Sequence, residues 1–94
     1  MNTATSKQII VVGTLINGRI NFIAGGMSKH SFNGKWIVNH TTDLQAYGKE
    51  FNSIKEAEEF IPTIHNPHER HYQVTTETIE FKTKKEFRDY ERIL

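Results

Sequence analysis

The chain has no cysteine. A disulfide framework, a thiolate metal site and a thiol nucleophile are therefore excluded, which fits an intracellular setting. Long apolar runs are also missing: the longest, Ile9 to Val12, is four residues, far short of the roughly 20 that a membrane span needs and of a signal-peptide core. The expectation is a cytoplasmic protein with no membrane partner. Only two prolines are present; Pro62 ends a helical pattern, and Pro67 opposes a helix through its own neighbourhood. The last absence is of one charge sign. Between Met1 and Thr42 there is no Asp or Glu, while Lys7, Arg19, Lys29 and Lys35 fall there; all eleven acids lie between Asp43 and Leu94 beside eight Lys and Arg. The two segments carry formal charges of +4 and −3, a polarity that bears on partners and not on fold.

What is present suits one folded domain. Ninety-four residues, 36% apolar and including ten aromatics, supply one modest core and no second. The expected division is a polar tail at residues 1–7, a basic hairpin half at 8–42 and a strand-helix half at 43–94.

In the basic half, Gln8 to Ile16 and Arg19 to Ala24 flank Asn17-Gly18, the strongest short-range signal for a two-residue hairpin. That register sets Ile16 against Arg19, Leu15 against Ile20 and Gly13 against Phe22, and predicts a core face of Val11, Leu15, Ile20 and Phe22 with the Phe22 ring over Gly13. Gly25-Gly26 breaks the ladder. Phe32-Asn33-Gly34-Lys35-Trp36 then echoes Ile16-Asn17-Gly18-Arg19-Ile20 and predicts a second Asn-Gly hairpin, Met27 to Phe32 against Lys35 to His40.

The acidic half carries a different repeat, Glu50 to Ala57 against Glu80 to Phe87. In both copies a Ser or Thr, Ser53 or Thr83, precedes a Glu by three residues, Glu56 or Glu86, which is the signature of a capped helix start. The first helix presents Ile54, Ala57, Phe60 and Ile61; the second presents Phe87, Tyr90 and Leu94. Ala46 to Phe51 fits helix or strand and is read as a short strand. Tyr72 to Phe81 is a strand whose apolar phase shifts from Tyr72 and Val74 to Ile79 and Phe81, so a bulge is expected near Glu77. The predicted fold is α+β, order ββββ(β)αβα: an antiparallel sheet of about four to six strands with both helices on one face.

The run Ala46 to Ile61, with Phe51, Ser53, Glu56-Ala57 and Phe60-Ile61, resembles a segment of many small proteins from phages and other mobile elements. The resemblance implies a small accessory protein and transfers no functional residue.

Several constellations could carry function. His65, His68 and His71, beside Glu69, offer imidazole and carboxylate ligands for zinc, with His30 and His40 as further donors, or a pH-responsive patch. The spacing matches no structural zinc signature, and no metal or other cofactor is assigned. Ser28 and Ser31 lie within reach of His30 or His40 without the framing of a nucleophile elbow, so no enzyme is expected. Arg19, Lys29, Lys35 and Trp36, with Lys7, Phe22 and Phe32, set cations beside rings as single-stranded nucleic-acid binders do. By elimination the leading expectation is a non-enzymatic protein-binding module, an inhibitor or regulator of a host protein, with contacts drawn from Arg19, Lys29, Lys35 and Trp36. Either the basic hairpins or the acidic helices could form the contact face. Exposed strand edges also admit a homodimer.

Overall fold

The computed structural model describes residues 5–93. In chain order the elements are β1 (Thr5–Ile16), β2 (Arg19–Ile23), β3 (Ser28–Lys29), β4 (Trp36–Ile37), β5 (Thr41–Thr42), α1 (Ile54–Phe60), β6 (Tyr72–Phe81) and α2 (Lys84–Ile93), with 3-10 turns at Gln45–Tyr47 and Ile61–Thr63. The fold is α+β. Four strands form an antiparallel sheet in the order β5-β2-β1-β6, and β3 and β4 form a second sheet of two.

The run Ile9-Ile10-Val11-Val12 explains the layering. Side chains alternate across a strand, so four consecutive apolar residues supply two to each face, which suits a strand covered on both sides. Ile10 and Val12 pack with Ile23, Phe51, Ala57 and Ile64 in one cluster; Ile9 and Val11 pack with Phe22, Phe81 and Tyr90 in another. Ala57 belongs to α1 and Tyr90 to α2. The two helices therefore cover opposite faces of the sheet, which corrects the expectation of both on one face. Each buried aliphatic side chain contributes about 1.5–3 kcal/mol, and β1 places four of them along one short stretch.

The first hairpin forms in the predicted register, Gly13 opposite Phe22 and Ile16 opposite Arg19. Asn17 and Gly18 both have positive φ, 51° and 79°, as a type I′ turn demands. The Phe22 ring does cover Gly13, where a Cβ would sit 3.2 Å from it. The predicted core face ends early, however: Val11 and Phe22 are buried, whereas Leu15 is 63% and Ile20 53% exposed. The hairpin projects past the layer that covers its base.

The second hairpin is shorter than predicted. Only Ser28 with Ile37 and Lys29 with Trp36 are paired. Side chains hold the intervening loop, His30 Nδ1 accepting from the Phe32 N–H at 3.2 Å and Asn33 Oδ1 from the Lys35 N–H at 2.9 Å. The strand expected at Ala46 to Phe51 is absent; a 3-10 turn lies there, and the fifth strand is instead Thr41–Thr42, paired with Phe22 and Ile23. Ala46 packs against the cluster around Val11, and a Cβ on Gly48 would lie 3.1 Å from Val11 Cγ1. That close approach favours a tight turn over a strand.

No bulge interrupts β6. Its register with β1 is continuous from Thr5 opposite Phe81 to Thr14 opposite Tyr72. The phase shift in the sequence arises because Tyr72 and Val74 pack into the α1 layer while Ile79 packs with Phe81 in the α2 layer, so one regular strand changes its covered face along its length. Thr5 to Lys7 belong to β1, which corrects the tail expected there; its first four residues lie outside the described ones.

Both helix starts form as predicted. Ser53 Oγ and Thr83 Oγ1 each accept the N–H of the Glu three residues on, at 3.1 Å, and the Glu86 carboxylate takes the Lys82 N–H at 2.6 Å. On α1 the buried stripe holds Ala57 with Phe60 beside it, while Ile54 is exposed.

Candidate interaction site

The five histidines separate into distinct surroundings. His65 stacks on His30 with ring centroids 4.3 Å apart, and its Nδ1 is 3.3 Å from Asn33 Nδ2. Backbone bonds position this pair, His30 N–H to the Lys35 carbonyl at 2.7 Å and His65 N–H to the Trp36 carbonyl at 2.8 Å. His40 lies against Gly26. His68 and His71 line a cleft of about 320 Å³ with Leu15, Ile20, Glu69 and Arg70, at the projecting hairpin, and His68 also shares a smaller pocket of about 200 Å³ with His65. Asn66 closes this loop by donating to the Arg70 carbonyl at 2.7 Å and accepting its N–H at 2.9 Å, and Glu69 takes a positive φ of 52°. Among the described residues no group of three or more His, Asp and Glu side chains is placed to hold a metal ion.

Ser28 Oγ accepts from Asn39 Nδ2 at 2.8 Å, a bond that closes the β3–β4 sheet.

The basic residues are divided too. Arg19 is at the turn of the first hairpin, Lys35 flanks β4, and Lys29 projects from β3 with its ammonium 5.0 Å from the centre of the Trp36 ring. Lys7 is engaged elsewhere: its Nζ is 3.2 Å from Glu50 Oε1 and 5.3 Å from the centre of the Tyr90 ring. Tyr90 is buried, and burial, with the Glu50 carboxylate as a lesser cause, pushes its phenol up to about 12.

Trp36 is where the two halves of the sequence meet. It lines a groove of about 580 Å³ together with Gly25, Met27, Phe51, Phe60, Glu56 and Glu59, and with Lys49 and Glu50. The strand-breaking Gly25-Gly26 provides one wall without side chains. α1 provides another, because Glu56, Glu59 and Phe60 recur at three- and four-residue spacing and so share a face, which Thr63 of the following 3-10 turn extends. The rings of Phe51 and Phe60 are 5.2 Å apart at 50°. Lys49 holds its ammonium 5.5 Å from the centre of the Phe51 ring. Glu56 and Glu59 form no ion pair among the described residues.

Aromatic faces attract cations through their ring electrons, and a nearby carboxylate adds to the attraction. The groove is thus suited to an ammonium or guanidinium. The sequence marks Trp36 as a candidate contact, Glu56 as part of a helix cap and Phe60 as part of a buried stripe. The common face of Glu56 and Phe60 was visible in the spacing, but its proximity to Trp36 was not, since it depends on the Ile64 segment bridging to β4.

One further surface is backbone. β6 pairs with β1 along one side and forms an outer edge of the sheet along the other. Among the described residues no helix is long and apolar enough to cross a membrane. Comparisons of the chain with protein-family models, with curated proteins and with solved structures find no match.

Proposed function

We propose that this chain is a non-enzymatic protein-binding module that takes a Lys or Arg side chain of its partner into the groove between Trp36 and α1. The observation that carries the reading is the joint placement of Trp36, Phe51 and Phe60 with Glu56 and Glu59 around one groove. Two of the protein's own ammonium groups, on Lys29 and Lys49, already lie over Trp36 and Phe51, so these rings are presented in a manner that cations use. The partner segment is basic, by charge complementarity with the two carboxylates. The reading of the chain as a mobile-element inhibitor or regulator of a host protein adds only the resemblance over Ala46 to Ile61. Those positions are occupied with packing and capping: Phe51 and Ala57 are buried and Ser53 caps α1.

Single-stranded nucleic acid on the basic hairpins is the alternative reading. Its support is weaker, because Lys7 is engaged by Glu50 and Arg19 belongs to a different sheet from Lys29.

Trp36 is the sole tryptophan, so its fluorescence reports on the groove directly. Titration with a short Arg-containing peptide should change that emission saturably, while the same peptide with Glu for Arg should not. Glu56→Gln combined with Glu59→Gln should weaken the response about tenfold, the scale of one lost charge-assisted contact worth about 1.4 kcal/mol. A flat titration with the Arg peptide overturns the groove reading. A tagged bait should also retain a protein partner after nuclease treatment; retention that vanishes with nuclease supports the nucleic-acid alternative instead.

A further inference from the structure

β6 is an edge strand of ten residues. Edges of this length are normally blunted by proline, charged side chains, a bulge or a covering segment, since their unpaired N–H and C=O groups recruit other strands; of these devices β6 carries two charges, Glu77 and Glu80. Tyr72–Phe81 contains no Pro, Lys or Gly, its register with β1 is unbroken, and Thr76, Glu77 and Thr78 at its centre are exposed. Among the described residues no main-chain hydrogen bond from elsewhere reaches its outer side. Thr75, Thr76, Thr78 and Ile79 are β-branched and suit continued pairing.

Of the two registers that pair nine residues of the strand with a second copy, centred on Thr76 or on Glu77, only the first sets no like charges opposite each other. A two-fold axis perpendicular to the sheet returns each face to the same side, so a residue pairs with one an even number of positions away or with its own copy. With the axis at Thr76, Thr76 meets Thr76 of the second copy, Thr75 meets Glu77, Val74 meets Thr78, Gln73 meets Ile79 and Tyr72 meets Glu80. Like charges never stand directly opposite, and the whole of Tyr72 to Glu80 is used. Moving the axis to Glu77 sets that carboxylate against its own copy, which is destabilising. We propose that β6 takes a second copy of this chain, antiparallel and centred on Thr76, to give a dimer with a continuous sheet of eight strands. The proposal goes beyond the groove reading and does not depend on it, because no residue of β6 lines the groove.

The absence of native cysteine allows a direct test on the full chain. In this register Cβ atoms at Thr76 lie about 4.5–5.5 Å apart, whereas Gln73 and its copy are separated by six strand positions, about 20 Å. Thr76→Cys should convert to a disulfide-linked dimer under mild oxidation, and Gln73→Cys should remain monomeric. Equal cross-linking at both positions, or none at Thr76, overturns the register. Light scattering of the unmodified protein should give twice the chain mass, with the dimer persisting in high salt, since Glu77 and its copy lie diagonally and screening weakens their repulsion. A monomer throughout the micromolar range overturns the dimer. Thr76→Lys, an exposed substitution that sets two ammonium groups on the axis, should raise the dimer dissociation constant about tenfold. Its circular dichroism and its Trp36 response to the Arg peptide should stay as in the unmodified chain. Loss of the dimer with loss of the fold would overturn the assignment to the edge, as would an unchanged dissociation constant.

Discussion

Ile23 and Leu15 carry similar apolar side chains on paired strands and are predicted to behave differently. Ile23 is fully buried between β1 and the Phe51 segment, so Ile23→Ala should cost about 2–5 kcal/mol in urea unfolding, the usual range for a core truncation. Leu15 projects beyond the covered part of the hairpin, and Leu15→Ala should cost less than about 0.5 kcal/mol. Periodicity placed Leu15 inside and did not select Ile23; it reports which way a side chain points, while the extent of the covering layer depends on where distant segments such as Gln45–Tyr47 settle. Tyr90 offers a test through pH. Its hydroxyl is buried with no hydrogen-bond partner among the described residues, and its ionisation in the folded protein is raised to about 12. Between about pH 10, where a phenol ionises in the unfolded chain, and pH 12, the unfolded state loses this proton while the folded state keeps it. Tyr90 therefore contributes nothing to pH dependence below that window, and within it stability falls as pH rises. Tyr90→Phe should flatten this part of the stability profile and be neutral or stabilising at pH 7, because it deletes an unsatisfied hydroxyl.

The elements show which signals were local enough to read. Both helix starts were legible because a cap needs only a hydroxyl and the amide three residues away. Ser53→Ala and Thr83→Ala should each cost about 1 kcal/mol, a fall of about 4–8 °C in the thermal midpoint for a domain of this size. Two Asn-Gly pairs looked alike and folded differently. At Asn17-Gly18 both residues have positive φ; in the second pair only Gly34 does, since the Asn33 side chain turns back to its own loop and His30 caps the other side. The apparent bulge at Glu77 had a tertiary cause, the exchange of one covering helix for the other along a regular strand, and no single-strand pattern distinguishes that from an inserted residue. Four consecutive aliphatics in β1 did record the double covering. Their message concerned the layers on either side of the sheet.

At the scale of the whole molecule the charge-split halves of the sequence are not halves of the structure. β1, from the acid-free segment, has its longest partner in β6, from the acidic one, and Lys7 meets Glu50 across the same divide. A fragment of residues 1–42 should consequently lack stable structure by circular dichroism, and mixing it with residues 43–94 should restore β signal if the pairing drives assembly. The groove follows the same plan, Trp36 from one segment and Glu56 and Glu59 from the other. This is why the candidate site was only half legible: each residue was visible, and the meeting of the two segments was not. The β1–β6 pairing also has a consequence for synthesis. β1 is synthesised before Tyr72–Phe81 and must wait for that strand, some sixty residues later, before its second edge is filled. Until then the Ile9 to Val12 stretch has β2 as its local strand partner, so completion of the sheet waits on the arrival of its closing strand.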